Sequence, residues 1–397
     1  MKSISSFLKN KKSFLMLATI ILISIILLII ISKLIMWKKP FKIGLVCTLT
    51  GPPSTQQIDL RDAVILAIEK VNQSGGINKQ KIELIIKNDK LDVDEALRVD
   101  KELINEGAKI IIGHMYSTLT LKAVPLMNEN NVLMISPTSM TDKLTGIDDN
   151  LLRLGIPLDK DALITSKITR DRFHLKRMAV AYDLINKALT EPSFNYFKKG
   201  FEKLGGKISA NIPFNSKNDF SARSISNKII SSGADGVFII SDAIHAALIC
   251  QHLRIMNSEI KIIVHSWAFG DPVFIQNGGK AVEKVLGIKY FISDNNNKDF
   301  LTFKKEYFNR FNREVTGSGQ VAHSLMQIIF YALSKTNDPK KIKEVILQKS
   351  VFNVISGKII IDKYGDPLHD IFLTEIQNGT PVIIDTITAE NLLKNYN

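Results

Sequence analysis

The chain has 397 residues, of which 45% are apolar and 23% are charged, a balance that supports a large buried core and excludes a disordered chain. Its formal net charge is +13, but residues 1–42 contain eight lysines and no acidic residue, which leaves +5 on the rest of the chain. Because no basic patch interleaved with aromatic residues follows Lys42, the sequence argues against a nucleic-acid-binding protein.

The N-terminal region contains an uncharged apolar segment. Residues 13–32 form a run of 20 residues dominated by Ile and Leu, which at about 1.5 Å per residue spans the roughly 30 Å hydrocarbon core of a membrane. A cleaved signal peptide would have a shorter apolar stretch and a small-residue cleavage site, which residues 34–37 lack. We therefore predict that residues 1–41 are a cytoplasmic tail and an uncleaved transmembrane anchor. Lysines flank both ends of the segment, so its orientation stays open.

The two cysteines cannot form a disulfide framework. Pairing Cys47 with Cys250 would link a predicted strand in one half of the chain to a helix in the other, so we expect two buried free thiols. Leu45 and Val46 precede Cys47 where a lipidated cysteine would follow small residues, which argues against a lipid anchor.

After Pro40 the sequence has a βαβ pattern, in which short β-branched runs alternate with longer stretches of helical periodicity. It predicts parallel strands, covered on both faces, at residues 42–48, 82–87, 109–113, 132–135, 178–181, 236–240 and 260–264. Helices are predicted around the apolar stripes at 60–71 and 97–104, with Gly75, Gly76 and Gly107 as terminators, and at 119–130, 193–204, 220–232, 243–256, 299–311 and 322–334. About 350 residues of this pattern exceed one compact domain, so we expect two α/β lobes with a cleft between them.

The sequence lacks the motifs of common enzyme classes. Walker A, HExxH, GxSxG and paired CxxC patterns are absent. Gly317, Gly319 and Ala322 fit GxGxxA but follow a predicted helix instead of a strand, so the context of a dinucleotide site is missing. Of the seven histidines, only His245 and His252 share a helical face. We therefore expect no enzyme activity, no cofactor and no metal site.

Polar residues follow the predicted strand that ends at Gly113. Tyr116, Ser117 and Thr118 lie between this strand and the next helix, where ligands of open α/β sheets bind. Their hydroxyl and amide groups suit a carboxylate. The alternative is that Ser117 only caps the helix.

Seven motifs occur in a characteristic order along the chain. They are KIGLVCTLTGP (42–52), VNQSGGI (71–77), IIIGHMYST (110–118), VLMISPTSMTDKLTG (132–146), AVAYD (179–183), FEKLGGKI (201–208) and ISGKIIIDKYGD (355–366). Together they resemble the type I periplasmic binding proteins, and within them the branched-chain amino-acid-binding group that serves ABC importers. The resemblance implies two Rossmann-like doubly wound lobes joined by three hinge strands. Lobe one would comprise residues 42–159 plus 288–356, and lobe two residues 160–287 plus 357–397.

The resemblance also implies ligand contacts in lobe one. Ser117 occupies the position of a serine that binds the ligand's carboxylate, and Thr138 that of a backbone carbonyl for the ammonium group. Met140 stands where relatives have a threonine, and a thioether cannot replace a hydroxyl donor. The set of hydrogen bonds to an α-amino acid is therefore incomplete unless Ser139 or Thr141 supplies the missing hydroxyl group.

Lobe two departs further from the family pattern. The family's tyrosine corresponds to Lys187 or Leu189, and its acidic ammonium partner falls near Trp267. This tryptophan would either stack on a planar ligand or pack the lobe. The remaining candidates are Asp242, whose alternative role is to cap the helix that follows it, and Asn186 and Thr190.

The apolar segment predicts a single-pass membrane anchor, and the resemblance implies that the C-terminal domain lies outside the cytoplasm. This domain would close around a small molecule, an amino acid or a related carboxylate or amide, and deliver it to an ABC permease. The alternative is a sensor that signals through a partner membrane protein, because only about a dozen residues precede the apolar segment and they contain no signalling domain.

Overall fold

The computed structural model describes residues 11–35, 39–50, 55–256, 259–291 and 297–395. Parts of the predicted tail and anchor, at residues 1–10 and 36–38, lie outside these ranges. The predicted membrane segment falls in helix α1 (Lys11–Ile35), whose side chains are described at residues 14–28. Within that described part, no helix is long and apolar enough to span a membrane.

The first part of the chain alternates strands and helices. In order, the elements are β1 (Phe41–Cys47), α2 (Thr55–Gln73), β2 (Ile82–Asn88), α3 (Val93–Asn105), β3 (Ile110–Ile112), α4 (Ser117–Asn130), β4 (Leu133–Ser136), a 3₁₀ turn (Asp142–Leu144) and β5 (Leu151–Arg153). The five strands form one parallel sheet in the order β2-β1-β3-β4-β5.

The middle of the chain repeats this alternation. The elements are α5 (Leu158–Lys167), a π turn (Ile168–Arg172), β6 (Arg177–Asp183), a 3₁₀ turn (Leu184–Asn186), α6 (Lys187–Lys203), β7 (Lys207–Phe214), α7 (Ala222–Ser231), β8 (Gly236–Ile240), α8 (Ala243–Ile255), β9 (Lys261–Val264), α9 (Ser266–Phe269), α10 (Pro272–Gly278), a 3₁₀ turn (Gly279–Val282) and β10 (Leu286–Lys289).

The C-terminal part adds helices to one sheet and strands to the other. Its elements are α11 (Lys298–Phe311), α12 (Gly317–Lys335), α13 (Pro339–Lys349), β11 (Val351–Val354), β12 (Gly357–Ile361), β13 (Pro367–His369), β14 (Ile371–Gln377), β15 (Thr380–Ile387) and α14 (Ala389–Asn395). The second sheet has the order β15-β14-β10-β9-β8-β6-β7, and β11, β12 and β13 form a third, antiparallel sheet.

Two cores define two lobes. One face of the first sheet packs against α2, α11 and α12, and the other face against α3 and α4. The second sheet is likewise covered on both faces, by α7 and α8 on one and by α5 and α6 on the other. Each helix presents apolar residues to a sheet, which removes them from water and stabilises the layers.

The chain passes between the two cores three times, after β5, after β10 and after β13. Ile156, Ile288 and Ile371, one from each crossing, belong to a shared apolar cluster. The exact lobe boundaries stay a prediction. Ile359 and Ile361, which the predicted boundaries assign to lobe two, lie in the core of the first lobe.

Most predicted elements are confirmed. All seven predicted strands are present within a few residues, and Gly107, with a φ of 91°, ends α3 as expected. Cys47 and Cys250 are buried free thiols, as predicted. The expectation of wholly parallel sheets is wrong for the second sheet, because β14 pairs antiparallel with both β10 and β15. Helix α6 begins before its predicted start and contains Pro192.

Candidate functional site

A cavity of about 120 Å³ lies between the lobes, at the carboxyl ends of strands from both sheets. Its walls come from the loops after β3, β4, β6, β9 and β10. Five of the predicted ligand-binding residues line it, namely Tyr116, Ser117, Thr138, Asn186 and Trp267. Three others, Thr118, Ser139 and Asp242, are not part of the described lining.

Ser117 presents its hydroxyl group at the cavity. It is the first residue of α4, and the N-cap is Tyr116, so Ser117 does not cap the helix. Its Oγ accepts hydrogen bonds from the Met140 amide at 3.1 Å and from the Ser139 hydroxyl at 3.4 Å. These bonds use both lone pairs and leave the hydroxyl hydrogen to donate. The start of α4 adds the partial positive charge of a helix N-terminus.

The loop after β4 is held by internal hydrogen bonds. The Thr138 hydroxyl donates to the Met115 carbonyl at 2.7 Å, and the Ser139 amide donates to Ser136 Oγ at 3.1 Å. Ser139 is fully buried and therefore positions Ser117 from behind the cavity wall.

A buried ion cluster fixes the loop after β3. His114 lies between Asp89, 2.9 Å from Nδ1, and Asp100, 3.1 Å from Nε2. Burial alone would lower the pKa of His114, but the hydrogen bonds that the imidazole donates to Asp100 and Asp89 raise it to about 9. The imidazole is thus a cation at neutral pH. Its own carbonyl accepts the Ser136 hydroxyl at 2.8 Å, which joins this cluster to the loop after β4.

Several contacts cross the cleft. Asn186 Oδ1 lies 3.3 Å from both the amide nitrogen and the hydroxyl oxygen of Thr118, which donate to it. Gln56 Nε2 donates to the Trp267 carbonyl at 3.2 Å. The rings of Tyr116 and Trp267 meet edge to face, with centroids 5.7 Å apart. The two lobes are therefore in direct contact, as in a closed conformation.

Asp242 caps helix α8. Its Oδ1 accepts from the amides of Ile244 and His245, and its Oδ2 lies 2.5 Å from His245 Nδ1. Together with Asp183 these side chains form a group whose candidate ligand atoms lie within 4.8 Å of one another. Asp183 in turn accepts the amides of Ile185 and Ser216. Each of the three side chains thus already has a structural role in its lobe.

The sequence interpretation missed a group of interacting polar side chains behind Trp267. His265 Nδ1 accepts the Trp267 amide at 3.1 Å, and His265 Nε2 lies 3.4 Å from the buried carboxylate of Asp161. The Tyr290 hydroxyl donates to that same carboxylate. Tyr290 follows β10, a strand that the periodicity did not predict, so the loop after it was not recognised as part of the site.

The lining of the cavity is mostly apolar. Among the described lining residues, Lys289 is the single Lys or Arg, and none is Asp or Glu. Apolar side chains make up much of the remaining wall: Met115, Met140, Leu154, Leu189, Ile288, Val321 and Ile359. His369 is buried in the wall and donates from Nε2 to the Leu154 carbonyl at 2.7 Å. Burial lowers the pKa of His369 to about 4, so it is neutral at pH 7.

The family model for periplasmic binding proteins matches residues 40–381. The chain belongs to this family. Within it, the chain is a type I periplasmic binding protein of the branched-chain amino-acid group.

The similar proteins agree with this assignment. The chain is 25% identical, over 332 residues, to the leucine-, isoleucine-, valine-, threonine- and alanine-binding protein of Pseudomonas aeruginosa, covering 82% of this chain and 86% of that one. It is also 25% identical to the Leu/Ile/Val-binding protein homolog 1 of Brucella melitensis over 336 residues, with 82% and 87% covered.

Solved structures share the fold. A leucine-binding protein from Thermotoga maritima superposes with a TM-score of 0.80 at 22% identity, covering 88% of this chain and 99% of that one. A solute-binding protein from R. palustris in complex with benzoate superposes with a TM-score of 0.78 at 17% identity, covering 88% and 96%.

Proposed function

We propose that this protein is the extracytoplasmic substrate-binding protein of an ABC importer. It binds an amino acid or a related small carboxylate or amide in the cavity between the lobes and releases it to a membrane permease. One observation carries this proposal: the cavity has walls from both lobes, with a hydroxyl donor and a helix N-terminus at one end. The names of the similar proteins, which bind branched-chain amino acids or benzoate, support it.

Ligand contacts follow from the lining. Ser117, with the N-terminus of α4, receives the carboxylate, while Tyr116, Thr138 and Trp267 contact the rest of the ligand. Thr118 and Asn186 join the lobes when the cleft closes. Ser139 orients Ser117. Asp242 acts through the shape of its lobe, since its carboxylate already caps α8.

Closure couples binding to delivery. A ligand that contacts both lobes only in the closed state shifts the population toward that state. The three crossings between the cores serve as the hinge, and we place the lobe boundaries near residues 159, 288 and 370, the last of these after β13 because Ile359 and Ile361 belong to the first core. No bond of the ligand is made or broken in this mechanism, so the protein acts as a receptor and not as an enzyme.

Helix α1 anchors the receptor to the membrane in this proposal. The sequence gives it an uncharged run at residues 13–32, and every side chain described on it, from Phe14 to Leu28, is exposed. Large exposed apolar side chains such as Phe14, Leu22 and Leu28 need a nonpolar partner, which a bilayer supplies. The binding domain would then lie outside the cytoplasm, next to the permease.

Thermal unfolding with a ligand panel tests the proposal. The full-length protein in detergent micelles is heated with amino acids, amides and small carboxylic acids, because a ligand that binds only the folded state raises the melting temperature. We expect a saturable increase with at least one of them, and a smaller increase for Ser117→Ala. Folded protein that shows no increase with any compound would contradict ligand binding. Uptake by proteoliposomes that contain the permease separates import from sensing, since a sensor binds the ligand without transport.

A further inference from the structure

Three side chains with metal-ligand chemistry lie together at the carboxyl edge of the second sheet. Asp183 is the last residue of β6, Asp242 follows β8, and His245 is in the first turn of α8. One candidate ligand atom from each of them, a carboxylate oxygen or a ring nitrogen, lies within 4.8 Å of the other two. A single ion could therefore contact all three side chains after small rotations. No local sequence motif indicates this group, because its members follow two different strands.

Backbone amides hold both carboxylates in a fixed orientation. Asp183 Oδ1 accepts the amides of Ile185 at 3.1 Å and of Ser216 at 3.0 Å, and the Ser216 side chain also lies against this carboxylate. Asp242 Oδ1 accepts two amides of the first turn of α8, at 2.9 Å and 3.1 Å. In each residue one oxygen is thus held by two amides, and Oδ2 is the oxygen available to an ion. Hydrogen bonds of this kind orient the ligands of metal sites.

One of these two available oxygens has no hydrogen-bond partner. Asp183 is fully buried, and within the part of the chain that the structure describes its Oδ2 accepts no hydrogen bond. A buried carboxylate oxygen without a donor is costly, and a bound cation removes this cost. The group also has two carboxylates for a single imidazole. A doubly charged ion compensates both carboxylates, whereas one imidazolium compensates only one of them.

His245 determines which class of ion suits the group. Its Nδ1 lies 2.5 Å from Asp242 Oδ2, and its ring packs edge to face against Phe220 with the centroids 4.5 Å apart, which restricts the orientation of the imidazole. Zn²⁺ and similar divalent transition metals bind mixed imidazole and carboxylate ligands, whereas Ca²⁺ and Mg²⁺ prefer oxygen ligands alone. The ligand set therefore favours an ion of the Zn²⁺ class.

We propose that Asp183, Asp242 and His245 bind a divalent transition-metal ion of the Zn²⁺ class in lobe two. The Oδ2 atoms of the two carboxylates and a ring nitrogen of the histidine supply three ligands, and water completes the coordination. The ion joins the 3₁₀ turn after β6, which carries Asn186, to the start of α8. This site does not depend on the ligand of the cavity between the lobes, so it goes beyond the proposed receptor function.

Titration of the metal-free protein with Zn²⁺ tests the site. Full-length protein without a histidine tag is treated with EDTA in detergent micelles and exchanged into chelator-free buffer, and a chromophoric chelator that competes for Zn²⁺ then reports the affinity. We expect one equivalent of Zn²⁺ to bind at least tenfold more tightly than Mg²⁺ or Ca²⁺ and to raise the melting temperature. Folded protein that binds no Zn²⁺, or binds it no more tightly than Ca²⁺, would overturn the proposal.

Conservative variants locate the bound ion. Asp183→Asn keeps an oxygen that accepts the two backbone amides but replaces Oδ2, and His245→Gln removes the imidazole. Each should weaken Zn²⁺ binding tenfold or more. His252→Gln is the matched control, because His252 lies two turns further along α8, and it should bind Zn²⁺ as tightly as the wild type. Circular dichroism confirms folding, and the partly exposed position of His245 makes its variant informative even if Asp183→Asn unfolds.

The outcomes distinguish a specific site from adventitious binding. If His252→Gln loses the Zn²⁺ affinity while His245→Gln and Asp183→Asn keep it, the ion binds a different histidine and the proposal is overturned. If only the variants of the group lose the affinity, the proposal is supported. The thermal response to amino acids and carboxylic acids is measured separately, so failure of the metal site leaves the receptor function standing.

Discussion

The Ser117 hydroxyl owes its role to its hydrogen-bond partners. It accepts from Met140 and Ser139, so its own hydrogen remains available to donate to a ligand in the cavity. Ser117 itself is 1% exposed. A donor fixed in this way needs little reorganisation when a carboxylate arrives, which favours tight binding.

Ser117→Ala should therefore weaken carboxylate binding. A hydrogen bond to a charged group contributes about 1.5–3 kcal/mol, which corresponds to a roughly 10- to 150-fold higher Kd. Ser139→Ala is the matched control: it removes a bond to Ser117 but leaves the Ser117 hydroxyl in place, and we expect a smaller effect. Isothermal titration measures both. Equal affinities for wild type and Ser117→Ala would place the carboxylate elsewhere.

The charged imidazole of His114 stabilises the folded protein, and this stabilisation is lost at alkaline pH. Its pKa rises from 6.5 to about 9 in the folded protein, because its partners Asp100 and Asp89 outweigh burial. Below pH 6.5 both the folded and the unfolded state bind the proton, and the stabilisation is complete. Between pH 6.5 and 9 the unfolded state loses its proton first, and above pH 9 the contribution is lost. It amounts to on the order of 3 kcal/mol.

Urea unfolding at pH 6, 7.5 and 9.5 checks this prediction. The free energy of unfolding of the wild type should fall across this series. Asp100→Asn removes one carboxylate from His114 and should flatten the fall, while it lowers stability at pH 6. Identical slopes in the two proteins would show that other groups cause the alkaline loss.

At the scale of elements, the sequence pattern was informative for strands that are buried, nearly continuous apolar runs, such as β3 and β8. Strand β8 matches its predicted range of 236–240. The helices predicted over 243–256 and 299–311 each differ from the observed helix by one residue at one end. The missed strands β7 and β10 are interrupted by polar residues or glycine, such as Asn211 and Gly287, so no apolar run marks them. Long-range pairing, not local sequence, determines that β14 runs antiparallel to β10.

The same limits explain what was found of the site. Ser117 and Thr138 follow strands that the sequence predicted, so their position at the cavity could also be predicted. Lys289 is the last residue of the unpredicted strand β10 and Tyr290 follows it, and nothing in their local sequence indicates a cavity. The sequence analysis gave helix capping as the alternative role of Asp242, and the structure shows this cap.

Tyr290 links the crossing after β10 to the start of α5. Its hydroxyl donates to Asp161, which also lies beside His265 under Trp267. Tyr290→Phe leaves the buried Asp161 carboxylate without this donor. We expect the free energy of unfolding to fall by about 1–3 kcal/mol. Tyr331→Phe is the control, because the Tyr331 ring packs against Phe352, and it should change stability less. Chemical denaturation compares the two, and equal effects would contradict a role for the hydroxyl.

At the scale of the whole molecule, closure is held by few contacts. Asn186 bridges to Thr118, Gln56 to Trp267, and the rings of Tyr116 and Trp267 meet across the cleft. The Ala188 amide also donates to Thr118, and Leu189 packs against Met140 in an apolar cluster that is small compared with the core of either lobe. A ligand that fills the cavity adds contacts to both lobes, so it determines which conformation is populated.

Asn186→Ala should open the unliganded protein. The variant loses the acceptor for Thr118, so the closed state is less populated, and the apparent Kd rises in proportion to that loss. Single-molecule energy transfer between dyes on exposed positions, Glu129→Cys in lobe one and Glu202→Cys in lobe two, measures the closed fraction, because both native cysteines are buried. Saturating ligand should restore closure in the variant at a higher concentration than in the wild type. If the variant binds more weakly but keeps the same closed fraction without ligand, Asn186 contacts the ligand and does not hold the lobes together.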